Sequence, residues 1–202
     1  MLDRDRFFAA ARARPFGGSL TQAQVDGLNA ILDAWEARPE FTDLRWLAYM
    51  LATAKHETAH TMKPINEYGG EAYFFRMYDP EGERGDFARR NGNTQPGDGA
   101  RFHGRGYVQL TWRSNYQKMQ DLLGAPLVED PERALDPMIA AQIMFEGMKG
   151  GLFTGVGLPR YFNDTTDDPV NARRIINGLD KAHEIAAIHR DFLAALSPGS
   201  TT

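Results

Sequence analysis

Pro64 divides this chain into two kinds of sequence, and that division limits what it can fold into. Before it, apolar residues recur at helical spacing: Val25, Leu28, Ile31, Leu32 and Trp35, then Leu47, Met50, Leu51, Ala54 and Thr58. From Pro64 to Gly106 the chain is rich in Gly, Asn, Asp and Pro, with short aromatic runs such as EAYFFRMY. This stretch reads as a β-hairpin or long loops, and long loops inside a compact domain are usually functional. Helical patterning then resumes. The fold class that follows is mainly α, with a small hairpin-and-loop lobe.

Local signals set the expected boundaries. Thr21 caps a helix running to about Ala37, and a second helix starts at Thr42 or Asp43 and carries Glu57 in its last turns. Others are expected from Ser114 to Leu123, from Asp136-Pro137 to Gly150, from Asp168-Pro169 to Gly178, and from Asp180 to about Leu196. The tail 197–202 should fray. No repeat, low-complexity tract or linker interrupts the 202 residues, so one domain over 1–202 is expected.

Composition removes several function classes. Cysteine is absent, which excludes disulfides and thiolate metal sites. A net charge of −4 argues against affinity built on general attraction to nucleic-acid phosphates. The first residues, MLDRDRFFAAARARPFGG, lack the apolar core of a signal peptide, and no segment is long enough to span a bilayer.

The stretch AKHETAH, 54–60, reads two ways. His56-Glu57-Thr58-Ala59-His60 fits HExxH, in which two histidines one helical turn apart hold zinc and the glutamate activates water. Glu81 would then be the third ligand. In the other reading the histidines are incidental, and an apolar helix delivers one carboxylate, Glu57, to a site. Glycosidases need two carboxyl groups, one to protonate the leaving oxygen and one to assist water or act as nucleophile. Glu57 suits the first role; Glu67, Glu71, Asp79, Glu81 and Glu83 are candidates for the second.

The segment GNTQPGDGARFHGRGYVQLTWRSNY, 92–116, holds Gly104-Arg105-Gly106 but has Gln109 where a dinucleotide loop needs its third glycine. Nucleotide binding is rejected. Gln109, Thr111, Asn115 and Tyr116 instead form a dense polar set beside Tyr107 and Trp112, which suits sugar hydroxyls and ring faces.

With these blocks in order, the chain resembles glycoside hydrolase family 19, and most closely its endolysin branch. KHETAH, the 92–116 segment and ARRIINGLD (172–180) carry the likeness, which covers about residues 44–180. The resemblance implies a lysozyme-like α-helical domain. It implies Glu57 as general acid, Gln109, Asn115, Tyr116 and Asn177 as substrate contacts, and Thr111 as a hydroxyl holding the attacking water. Glu67 matches the second carboxylate of the endolysin branch, while Asp79 or Glu81 stand nearest the chitinase-branch position. Where family members often have HE-S/T-x-G-G and INGG, this chain has HETAHT and INGLD, departures that bear on chitin specificity.

The expected activity is hydrolysis of β-1,4 bonds in peptidoglycan, with inversion and with the carboxyls about 6.5–9.5 Å apart. The alternatives are a chitinase of the same mechanism, an HExxH zinc hydrolase, and a wall-binding module without catalysis. No cofactor, metal, nucleic acid or membrane insertion is expected. The protein should be a monomer, made in the cytoplasm and reaching the wall through another factor.

Overall fold

The structure is a computed structural model that describes residues 2–197. Of the tail expected to fray, 198–202 lie outside the described residues. In chain order the elements are α1 (Arg4–Ala13), α2 (Gln22–Glu36), α3 (Leu44–Glu57), β1 (Ile65–Asn66), α4 (Glu71–Tyr78), α5 (Gly85–Arg90), α6 (Asp98–Arg101), β2 (Arg105–Gly106), α7 (Arg113–Leu123), α8 (Pro137–Gly150) and α9 (Ala182–Leu196). The described chain is thus mainly helical, as the sequence pattern predicts, with one two-stranded sheet. It divides into two compact units: residues 1–62 with 145–202, and residues 63–144.

In the first unit, α3 is the central element. Every residue from Leu47 to Lys55 is buried, so the helix is covered on all sides. Asp43 caps it, accepting a hydrogen bond from the Arg45 N–H at 2.9 Å. Helix α9 packs along α3 and also against α1, where Phe7 stacks on Phe192 at 6.3 Å between ring centres. Helix α2 opens with a capping box: Thr21 Oγ1 accepts from the Gln24 N–H, and the Gln24 side chain accepts from the Thr21 N–H.

Helix α1 has no counterpart among the expected elements. Its Asp3 cap, which accepts from the Arg6 N–H at 3.0 Å, was the available signal. The helix expected over 168–178 is replaced by a short 3-10 segment, Asn171–Ile175. Asp168 does accept from the Asn171 N–H at 3.0 Å, but it stands two residues before the segment's cap position, Val170. Val170, Ile175 and Ile176 are β-branched and Asn171 is a weak helix former, so little propensity sustains an α-helix between Pro169 and Gly178. The last helix starts at Ala182 rather than Asp180, because Lys181 takes left-handed backbone.

The second unit corrects the hairpin expectation. Its two strands stand at the ends of the 64–106 stretch and pair antiparallel, Ile65 with Gly106 and Asn66 with Arg105. The chain between them coils into α4, α5 and α6, and EAYFFRMY is helix, not strand. Phe74 is the buried residue of α4 and stacks on His103 at 4.2 Å. Asp79 is 1% exposed and accepts from the Gly97 and Gly99 N–H groups at 2.8 and 3.2 Å, closing the loop before α6. Helix α8 begins with the expected cap: Asp136 Oδ1 accepts from the Met138 and Ile139 N–H groups.

Candidate active site

Each unit presents one of the two carboxylates singled out by the sequence. Glu57 is the last residue of α3. Its Oε1 accepts from Arg173 Nη1 at 2.5 Å, and that arginine side chain is only 4% exposed. Arg173 Nε in turn donates to the Asp180 carbonyl at 3.1 Å, which fixes the guanidinium. The apolar helix thus delivers Glu57 into a charged setting. A charge-assisted contact of this kind orients the carboxyl strongly, and among the described residues no hydrogen bond falls on Oε2. Asn177 is exposed and lies one turn past Arg173, its N–H donating to the Arg173 carbonyl at 3.0 Å.

Beyond Glu57 the helix stops. Thr58 is its cap, and Ala59, His60 and Met62 all take left-handed backbone. His56 and His60 therefore do not share a helix face one turn apart, and the pair required by the zinc reading is not formed. His60 lies beside Lys55 Nζ at 3.4 Å, while His56 points toward Glu184 at 4.0 Å. Among the described residues no three His, Asp or Glu side chains gather as a metal-ligating group.

Glu67 directly follows β1, and its N–H donates to the Gly104 carbonyl at 2.8 Å. Among the described residues its carboxylate accepts three hydrogen bonds. Tyr78 and Tyr73 hydroxyls reach Oε1 at 2.6 and 3.2 Å, and the Gly104 N–H reaches Oε2 at 3.1 Å. Gly104 stands where several polar side chains converge. A Cβ there would lie 2.8 Å from Gln109 Oε1, 3.1 Å from Glu67 Oε2 and 3.3 Å from Thr111 Oγ1.

The turn after β2 delivers these groups. Gln109 and Trp112 both have positive φ, at 55° and 78°, a conformation that costs free energy in non-glycine residues. Gln109 Nε2 donates to the Ile65 and Gly106 carbonyls, which leaves its Oε1 facing Gly104. Thr111 Oγ1 donates to the Gln109 carbonyl at 3.0 Å, and Asn115 Nδ2 donates to the Thr111 carbonyl at 2.9 Å. Tyr68, next to Glu67, is 82% exposed.

Three of the expected site residues in the second unit lie apart from this group. Tyr116 is fully buried, accepting from Arg105 Nη1 and donating to the His103 carbonyl; it supports the turn from behind and does not face a ligand. Asp79 spends its oxygens on backbone N–H groups, and exposed Glu81 has no side-chain partner in the second unit's polar group. The residues missed from sequence are Arg173, Tyr73, Tyr78 and Gly104. Arg173 stood inside the ARRIINGLD block, and the tyrosines stood in EAYFFRMY, where a hairpin reading hid their placement on one short helix.

Comparison with known proteins gives a consistent family. The family model described as chitinase class I matches residues 29–146. Two endochitinases of Arabidopsis thaliana are each 31% identical over 96 residues, which is 47% of this chain and about a third of theirs. The chain thus spans about a third of the length of the curated relatives it matches. Chitinase C from Streptomyces griseus aligns over 98% of this chain and 79% of its own, with a TM-score of 0.62 and 20% identity. A bacterial family 19 chitinase aligns over 99% and 98%, with a TM-score of 0.56 and 18% identity. At these identities the two structures report the fold.

Proposed function

The chain belongs to glycoside hydrolase family 19, and from that premise we propose that it hydrolyses β-1,4 bonds between N-acetylated aminosugars in peptidoglycan. The observation that carries the reading is the convergence of Glu67 Oε2, Gln109 Oε1 and Thr111 Oγ1 around a residue without a side chain. A carboxylate flanked by neutral polar groups suits activation of a water beside a sugar, whose hydroxyls need donors and acceptors. Exposed Tyr68 adds a flat apolar face of the kind on which sugar rings stack.

Glu57 is the general acid and Glu67 the general base. The proton of Glu57 passes to the glycosidic oxygen as the C1–O bond breaks. A water held near Thr111 gives its proton to Glu67 as its oxygen bonds C1 from the opposite face, so the anomer inverts. Arg173 occupies Glu57 Oε1, which leaves Oε2 for the proton. Peptidoglycan is favoured by the likeness of the chain to the endolysin branch, and HETAHT and INGLD depart from the family's frequent pattern at positions that bear on chitin specificity. In this role the enzyme acts on the bacterial wall. Chitin is the second reading, supported by the names of the relatives.

The test is to incubate the protein with purified peptidoglycan and with chitin, with and without EDTA, scoring new reducing ends against new free amines. EDTA-resistant reducing ends from peptidoglycan support the proposal, and from chitin alone they support the second reading. Amines that vanish with EDTA, or no product at all, overturn it. Glu57→Gln keeps shape but cannot donate a proton, so it should lower turnover by at least about a hundredfold with an unchanged circular dichroism spectrum. Full activity in that variant would remove Glu57 from the mechanism.

A further inference from the structure

The two oxygens of Glu67 are held differently, and the difference points beyond the roles already assigned. Oε1 takes both tyrosine hydroxyls, Tyr78 at 2.6 Å and Tyr73 at 3.2 Å. Among the described residues Oε2 takes only the Gly104 N–H, at 3.1 Å, and it faces the same small space as Gln109 Oε1 and Thr111 Oγ1. A carboxylate that rotated freely about its last bond would exchange these environments. Two hydroxyls fixed on one oxygen prevent that exchange.

Both tyrosines are themselves fixed. The Tyr78 ring meets Trp112 edge-on at 5.0 Å and Tyr73 edge-on at 6.2 Å. Its backbone carbonyl accepts from Asn93 Nδ2 at 2.9 Å, and Asn93 is fully buried. Tyr73 also packs edge-on against Phe74, which stacks on His103. Neither hydroxyl depends on an exposed, freely rotating arm. Burial first, and then the adjoining carboxylate, push the Tyr78 phenol above its ordinary value, so it keeps its proton and remains a donor.

We propose that Tyr73 and Tyr78 are positioning residues that lock Glu67 through Oε1, reserving Oε2 as the oxygen that takes the proton from water. The inference rests on the reading of Glu67 as general base. It divides the labour within one carboxylate: one oxygen anchors it and the other reacts. The tyrosines touch neither sugar nor water in this scheme. Their effect is on the geometry and ionisation of the base, where small misplacements are costly.

The experiment compares Tyr78→Phe, Tyr73→Phe, the double variant and Glu67→Gln with the unmodified protein. It uses a soluble N-acetylglucosamine oligosaccharide or a soluble peptidoglycan fragment, whichever the protein cleaves. Tyr→Phe removes the hydroxyl and keeps the ring packing. Expected for Tyr78→Phe is a fall in kcat of about tenfold or more with KM nearly unchanged. The acid limb of its pH–rate profile should move to higher pH, because the ionised base has lost a donor. Tyr73→Phe should move both readouts the same way by less, and it serves alone if Tyr78→Phe does not fold. Unmoved pH profiles in both variants, with or without a fall in kcat, assign the hydroxyls to structure and overturn the inference alone, provided Glu67→Gln is inactive. An active Glu67→Gln, or a protein that cleaves neither substrate, overturns the reading of the base and the inference with it.

Discussion

Gly104 lacks a side chain at the point where Glu67, Gln109 and Thr111 bring their polar ends together. The atoms a methyl group would meet are side-chain ends that hydrogen bonds hold in place. They are also the atoms assigned to the chemistry. Gly104→Ala should therefore cost about 1–3 kcal/mol of stability and much activity, about tenfold or more in kcat. Thermal melting and steady-state kinetics on the same preparation check both halves. How these residues read in the sequence follows from distance along the chain. Glu57 and Glu67 stand out because each closes a recognisable local pattern. The partner of Glu57 does not, because Arg173 lies 116 positions away and only tertiary packing brings the pair together. Tyr116 misled for the opposite reason: it adjoins the polar set in sequence, yet it is fully buried.

Helix α2 approaches the turn after α3 closely enough to decide the sign of a substitution. In an open helix, replacing glycine by alanine is worth about 1 kcal/mol of stability. At Gly27, an added Cβ would fall 1.9 Å from the Met62 carbonyl oxygen, with the carbonyl carbon at 2.8 Å. Backbone cannot step aside as a side-chain end can. Gly27→Ala should therefore destabilise the protein by at least about 2 kcal/mol, lowering its melting temperature by about 5 °C. An unchanged or higher melting temperature would contradict that packing. The turn involved is the one that ends HETAH, where three non-glycine residues adopt left-handed backbone. Nothing in the local composition announces it, and so the sequence also permits a helix through His60. Helices α2 and α3 were legible because N-caps and a 3.6-residue period agree there, and α7 and α8 because Gly124 stops the one and Asp136-Pro137 starts the other. Helix α4 was not, since it has eight residues, a glycine N-cap without a side-chain bond, and aromatics that suit either a strand or a helix.

The first unit carries a pH sensitivity of its own. His189 on α9 is 1% exposed, among the rings of Tyr49 and Phe162. Burial lowers its pKa from 6.5 to about 4. The folded state thus keeps a neutral imidazole where the unfolded chain would be protonated. The stability tied to that group is complete above pH 6.5 and is lost as pH falls toward 4, by about 3 kcal/mol at most. His103 in the second unit, lowered chiefly by burial, acts in the same direction. Urea unfolding at pH 7 and pH 4.5 should show the loss, and His189→Leu should remove most of the first unit's share. The order of the chain has a different consequence for that unit. It is made of residues 1–62 and 145–202, and α3 finds its long partner only in α9. On a ribosome, a completed α3 with its fully buried run from Leu47 to Lys55 has to wait for its α9 cover until α9 emerges. The second unit, continuous from 63 to 144, has all of its own contacts in hand by then. Synthesis imposes an order of events, with the Glu67 side complete before Arg173 emerges to close on Glu57.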